Sequence, residues 1–243
     1  MSTATKPLGD QRLYELVNGR SPATIADVIA RMQAIDALLP PSDGLKWFNL
    51  LYLMVTQQVD LNPPGGSWRS PDWLIRLDVV FAGFYFRAIV GSLGGQEVPA
   101  AWSALFEARY RTGIDRVQFA LAGMNAHINH DLALALLATD EDFNIVPATG
   151  SPESADYQSV NELLNTVMPS ALNMLATDTL GVLAEDTGEV GRLLAFWNIC
   201  RARDLAWDFA DHLRSLDNQA REAALAAQDA LTGVVGRAIL VAA

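Results

Sequence analysis

Apolar residues recur every three to four positions along almost the whole chain, and no window alternates cleanly, so the pattern predicts helices and no sheet. In "SPATIADVIARMQAIDALLPP" Ile25, Val28, Ile29, Met32 and Ile35 make one apolar stripe. Ser21 is its expected N-cap, Pro22 its first helical residue and Pro40-Pro41 its stop. A second helix is expected from about Asp43 to Val59, followed by the Pro- and Gly-rich loop "DLNPPGGSWRS". Ser70-Pro71 repeats the start signal, and Gly94-Gly95 ends that helix as a C-cap. A shorter helix, "VPAAWSALFEARY", leads through "RTG" into a helix spanning Gln118 to Ala138. Asp140 to Ser154 is the longest stretch without periodicity. It reads as a loop over one bundle, because both flanking helices are too apolar to stand apart. Beyond it come "ADYQSVNELLNTVM", "SALNMLATDTLGVLAE", the long "EVGRLLAFWNICRARDLAWDFADHLRSL" and an Ala-rich C-terminal helix. The expectation is an all-α single-domain bundle of about nine helices over residues 21–243, with residues 1–20 as an N-terminal extension.

Several segments, "WFNLLYLMV" and "LDVVFAGFYF" above all, are apolar nearly all round, which marks helices buried within the bundle. Their few polar residues need partners, since an unpaired buried polar group costs about 1–3 kcal/mol. The helix "FALAGMNAHINHDLALALLAT" is the sharpest case. At about 100° per residue, Gln118, Asn125 and Asn129 share one face. His127 and Asp131, one turn apart, lie on the opposite face with His130 beside them, and Gly123 leaves room next to that stripe. An amide-only stripe suits structural hydrogen bonding; an ionisable one suits chemistry. This helix is therefore placed at the centre, with polar networks on both sides.

In the long C-terminal helix, Trp197, Arg201, Asp204 and Asp208 form one stripe, while Arg203 falls on the apolar face. A buried arginine there is expected to meet a carboxylate in fork geometry, Asp78 first and Asp131 second. Tyr85, two turns from Asp78, is expected to join the same space.

A formal net charge of −11 and only 17 scattered basic residues exclude nucleic acid as a partner and disfavour an anionic membrane surface. No apolar run approaches the roughly 20 residues of a membrane span, and the first residues lack the apolar core of a signal peptide. Cys200 is the only cysteine, so a disulfide framework and a cysteine zinc site are both excluded. A cytoplasmic protein without a cofactor is expected, its oligomeric state open.

Taken together, "DGLKWFNLLYLMVT", "RLDVVFAGFYF", "QFALAGMNAHINHDL", "VNELL" and "RARDLAWDFA" resemble a bacterial family catalogued as domain of unknown function five-nine-nine-five. The resemblance runs from roughly Ile25 to the C-terminus, and the His-Asn-His-Asp helix is its most specific part. It implies a single domain. It implies no activity and carries over no catalytic residue.

Three functional readings follow. In the first, a His–Asp pair fixes an imidazole tautomer for acid–base chemistry, with no metal, on a small and largely apolar molecule. Cyclisation, isomerisation, elimination and hydrolysis all fit, because the sequence has no nucleophile elbow, no phosphate-cradling loop and no dinucleotide fingerprint. The catalytic candidates are His127, Asp131, His130, Asp78 and Arg203. Tyr85, Phe81, Trp47, Trp197, Asn125 and Tyr52 are the substrate-binding candidates. In the second, the His/Asn/Asp set is a satisfied buried network that fixes helix register in a structural or ligand-binding protein. In the third, His127–Asp131 and Asp208–His212 face each other and hold a metal for hydrolysis.

Overall fold

The computed structural model describes residues 8–63, 66–176 and 198–241. The described residues form ten α-helical segments and one π-helical turn, with no strand. These are α1 (Leu8–Val17), α2 (Ile25–Leu38), α3 (Gly44–Leu61), α4 (Pro71–Gly94), α5 (Ala100–Ala108) and α6 (Arg116–Ala126). The π turn (His127–Asp131) joins α6 to α7 (Leu132–Phe143), and α8 (Pro152–Ala176), α9 (Ile199–Ser215) and α10 (Asn218–Ile239) complete the bundle. Counting α6, the π turn and α7 as one rod gives nine helices, in a single all-α bundle.

Several boundaries differ from the periodicity. Thr24, not Ser21, caps α2: its hydroxyl accepts from the Asp27 N–H while Asp27 reaches back to the Thr24 N–H. This reciprocal box satisfies two end groups where a lone serine would satisfy one. The segment before it is helical, and Leu13 and Val17 are buried where α1 packs on α2 and α4. α7 continues through Asp140, which is buried and accepts from the Trp73 indole N–H at 2.8 Å and from Arg214. The loop therefore shortens to 144–151. α8 runs unbroken past Pro169, merging helices that the proline separates on paper.

The α6–π–α7 rod is the centre. Every residue from Val117 to Ala126 is buried. Its amide stripe faces α10. The Gln118 side chain donates to the carbonyls of Ile239 and Val241 at 2.8 and 2.9 Å, and Asn125 donates to Thr232 O at 2.9 Å. Gln228 on α10 donates in turn to Asn129 O.

Against α3 the rod interlocks through glycines. A Cβ on Gly123 would stand 2.3 Å from the Phe48 ring, and one on Gly44 would stand 2.3 Å from the Phe119 ring. Gly123 thus admits Phe48 rather than leaving open room beside the histidines. Asp43, the N-cap of α3, is also buried, but it is paired. It takes two bonds from Arg109, whose third nitrogen reaches Asp10 at 3.0 Å.

Candidate functional site

The ionisable stripe of the rod faces α3, α4 and α5. Its backbone is a π turn: the Leu132 N–H reaches back five residues to His127 O, so the turn is one residue wider than an α turn. At its centre Asp131, 1% exposed, accepts three side-chain donors. His127 Nδ1 lies 2.9 Å from Oδ2, the Trp102 indole nitrogen 2.9 Å from the same oxygen, and His130 Nδ1 2.8 Å from Oδ1. Burial alone would raise the Asp131 carboxyl, but the bonds from both histidines outweigh it and hold Asp131 below its usual range. An ionised carboxylate only accepts, so each Nδ1 carries its proton.

The two histidines then diverge. His127 is 1% exposed, and burial pushes it below the usual histidine range despite the pull of Asp131. His127 is therefore neutral, and Nε2 bears a lone pair. That Nε2 is buried and has no hydrogen-bond partner among the described residues. Burial also acts to lower His130, but the bond and charge of Asp131, with the charge of Asp229, win, and His130 is raised. Asp229 stands 3.7 Å from His130 Nε2 while capping α5 through the N–H groups of Ala100 and Ala101. His130 thus ties the rod to the junction of α5 and α10.

His127 Nε2 belongs to a residue lining a small, partly open cavity, about 50 Å³, bordered by α3, α4, the rod, α8 and α9. Tyr52 and Thr56 line it from α3, Asp78 and Phe81 from α4, and Arg203 from α9. Phe81 stacks on the imidazole, with centroids 3.5 Å apart. Asp78 Oδ2 is buried and also lacks a partner among the described residues. Burial raises the Asp78 carboxyl to about 7, even though the nearby charge of Arg203 pulls it down.

The family of unknown function DUF5995 matches residues 25–242. The chain belongs to that family. No curated protein and no solved structure matches the chain. The DUF5995 match covers the whole rod and every wall of the cavity.

Within this DUF5995 fold, His127, Asp78, Arg203, Tyr52 and Phe81 meet at one cavity, and Asp131 stands behind His127. Among the described residues Arg203 does not pair with a carboxylate. Its Nε donates to Asn161 Oδ1 at 2.6 Å, its Nη2 donates to Tyr157 O at 3.2 Å, and its guanidinium lies 4.2 Å over the Tyr157 ring. The fork is taken up by α8, one helix away from α4, so neither Asp78 nor Asp131 receives it.

Tyr85 is buried and donates to Asn49 Oδ1 at 3.2 Å, outside the cavity. Trp47 instead lies under the Arg116 guanidinium, and Asn125 belongs to the amide stripe against α10. His130 does not line the cavity. Trp197 falls outside the described residues. Asp208 and His212 are both exposed on α9, away from His127, and among the described residues no three His, Cys, Asp or Glu converge as a metal set.

Sequence reasoning missed Trp102, Thr56 and Asn161. The indole N–H of Trp102 sits in the apolar turn "AAWSALF", and a buried indole nitrogen calls for an acceptor. That need was legible; the acceptor, 29 residues away, was not.

Proposed function

We propose that this chain is a cytoplasmic small-molecule enzyme that moves protons on a compact, largely apolar substrate, in a cyclisation, isomerisation, elimination or hydrolysis. One observation carries the reading. Two buried polar atoms without partners among the described residues, His127 Nε2 and Asp78 Oδ2, belong to residues of a single cavity, and burial drives their groups in opposite directions. Near neutral pH that leaves a lone pair on one wall and, on another, a carboxyl protonated in about half of the molecules. Environments that split two titratable groups in this way mark an acid–base pair.

In this reading His127 Nε2 takes a proton from the substrate, and the developing imidazolium is steadied by Asp131, itself held by Trp102 and His130. Asp78 gives a proton to the atom where charge accumulates. Arg203, fixed by Asn161 and Tyr157, supplies a positive field from α9. The apolar lining of Val55, Val59, Phe81, Met124, Ile128 and Leu164 selects against strongly polar substrates.

The cavity volume favours a second reading. About 50 Å³ is far below the ~300–1,000 Å³ usual for small-molecule pockets. A buried network that only holds the rod in register would need no more.

Deuterium transfer separates the two. Incubating the protein with a bacterial metabolite extract in D2O and following the pool by mass spectrometry should reveal deuterium uptake or a new product. Folded His127→Gln should lower that rate by about 10²–10⁴-fold, the usual worth of acid–base assistance. A pool unchanged by the parent protein, or equal rates in parent and variant, would contradict the enzyme reading.

A further inference from the structure

On the far side of α4 from the cavity lies a larger depression, about 510 Å³, between α1, the turn after it, α2, α4 and α7. It shares no residue with the acid–base cavity. Val17, Val79, Val80, Phe84 and Val90 form its apolar wall, and Arg31, Arg76 and Arg87 also line it. Three arginines in one groove are unexpected in a chain that carries 17 basic and 28 acidic residues.

Their pairing is uneven. Arg76 bonds Asp142 at 2.6 Å. Arg31 and Arg87 have no carboxylate within ion-pair distance among the described residues, unlike Arg109, Arg214 and Arg237, each matched to an acid. Instead each guanidinium lies over a ring of α4: Arg31 at 5.3 Å from the Phe86 centroid, Arg87 at 4.2 Å from that of Phe84. Arg31 also donates to the Arg20 carbonyl, which fixes it at the rim. Gly83 makes the space for Arg87, since a Cβ there would stand 3.3 Å from its Nη1. Partial burial pushes both guanidinium groups down from their ordinary range, outweighing the pull of Asp27 on Arg31 and of Asp131 on Arg87.

We propose that this groove is a second binding site, for a small molecule that carries a carboxylate or phosphate on an apolar body. Arg31 and Arg87 take the anionic head in the planar fork geometry of guanidinium, and the valine and phenylalanine wall takes the body. The volume falls within the range of small-ligand sites. The inference stands apart from the acid–base reading, because no residue is common to both.

Titration calorimetry with octyl phosphate, octanoate, octanol and inorganic phosphate tests it. Both octyl anions should bind the parent saturably, one per chain, and octanol and inorganic phosphate should each bind at least tenfold more weakly. Arg87→Gln and Arg31→Gln should each weaken octyl phosphate by tenfold or more. Arg116→Gln, which alters an arginine outside the groove, should leave it unchanged. Arg87 is exposed, so its variant keeps the fold, and circular dichroism checks this. The site is refuted if neither octyl anion saturates, if octanol or inorganic phosphate binds as tightly as octyl phosphate, or if the Arg87 and Arg31 variants bind like the parent.

Discussion

Phe81 lies flat on the imidazole of His127, ring centroids 3.5 Å apart and planes 5° from parallel. One residue therefore fixes the plane of the histidine while Asp131 fixes its tautomer, so Nε2 has a set position. Phe81→Leu keeps an apolar filler but loses the stack. It should cost about 1–2 kcal/mol in urea denaturation and exceed the penalty of Phe84→Leu, whose ring carries an exposed arginine instead. Equal penalties would mean that the stack contributes nothing specific.

Asp78 departs from the expectation of a buried ion pair, and its pH dependence has a definite sign. Its folded pKa, about 7, lies above the ordinary aspartate value of 3.8, so the folded state binds more protons between those limits. Stability from this group is therefore lost as pH rises from about 4 to 7. Asp78→Asn should be more stable than the parent by about 2–4 kcal/mol at pH 8, and the gap should shrink toward pH 5. Because Arg203 keeps Asn161 and Tyr157, no cation is stranded. A variant less stable than the parent at pH 8 would place Asp78 in an ion pair after all.

His130 acts in the opposite sense to His127. Its folded pKa is raised, so its contribution is complete below about 6.5 and fades as pH rises through the folded value. His130→Asn should be about 1–3 kcal/mol less stable than the parent at pH 5.5, and the gap should narrow by pH 9. A gap that widens with pH would reverse the assignment of charge to this histidine.

Much of the fold was legible because helix periods and Pro stops are local. The Ser70-Pro71 start and the Gly95 C-cap stand as read, and the amide stripe of the rod makes structural hydrogen bonds as its residue types suggest. The π turn was not legible. A constant rotation of 100° per residue places His127 beside Asp131 correctly, but it does not foresee the extra residue in the backbone that carries them. Partners across space were the hardest. Arg203 needed an acceptor, and burial said so, yet an asparagine and a carbonyl on α8 satisfy a guanidinium as well as a carboxylate does.

Gly123 illustrates the same gap between need and partner. Its small size was legible and its use was not: it receives Phe48. Gly123→Ala should cost about 1–3 kcal/mol through overpacking. In a double-mutant cycle with Phe48→Leu the two penalties should sum to more than the measured total, because the smaller ring-free side chain relieves the clash. Simple additivity would show that the two residues do not share the space.

The central claim is that His127 stands neutral, with its proton on Nδ1 and a lone pair on Nε2. Side-chain nitrogen NMR of the 15N-histidine-labelled protein at pH 7 reads this directly, with His127→Gln used to assign the signals. The account predicts one histidine, His127, with a protonated Nδ1 and an unprotonated Nε2 at pH 7, and a second, His130, that takes up its second ring proton at a higher pH than His127 does. A His127 that is doubly protonated at pH 7, or that carries its single proton on Nε2, would contradict it.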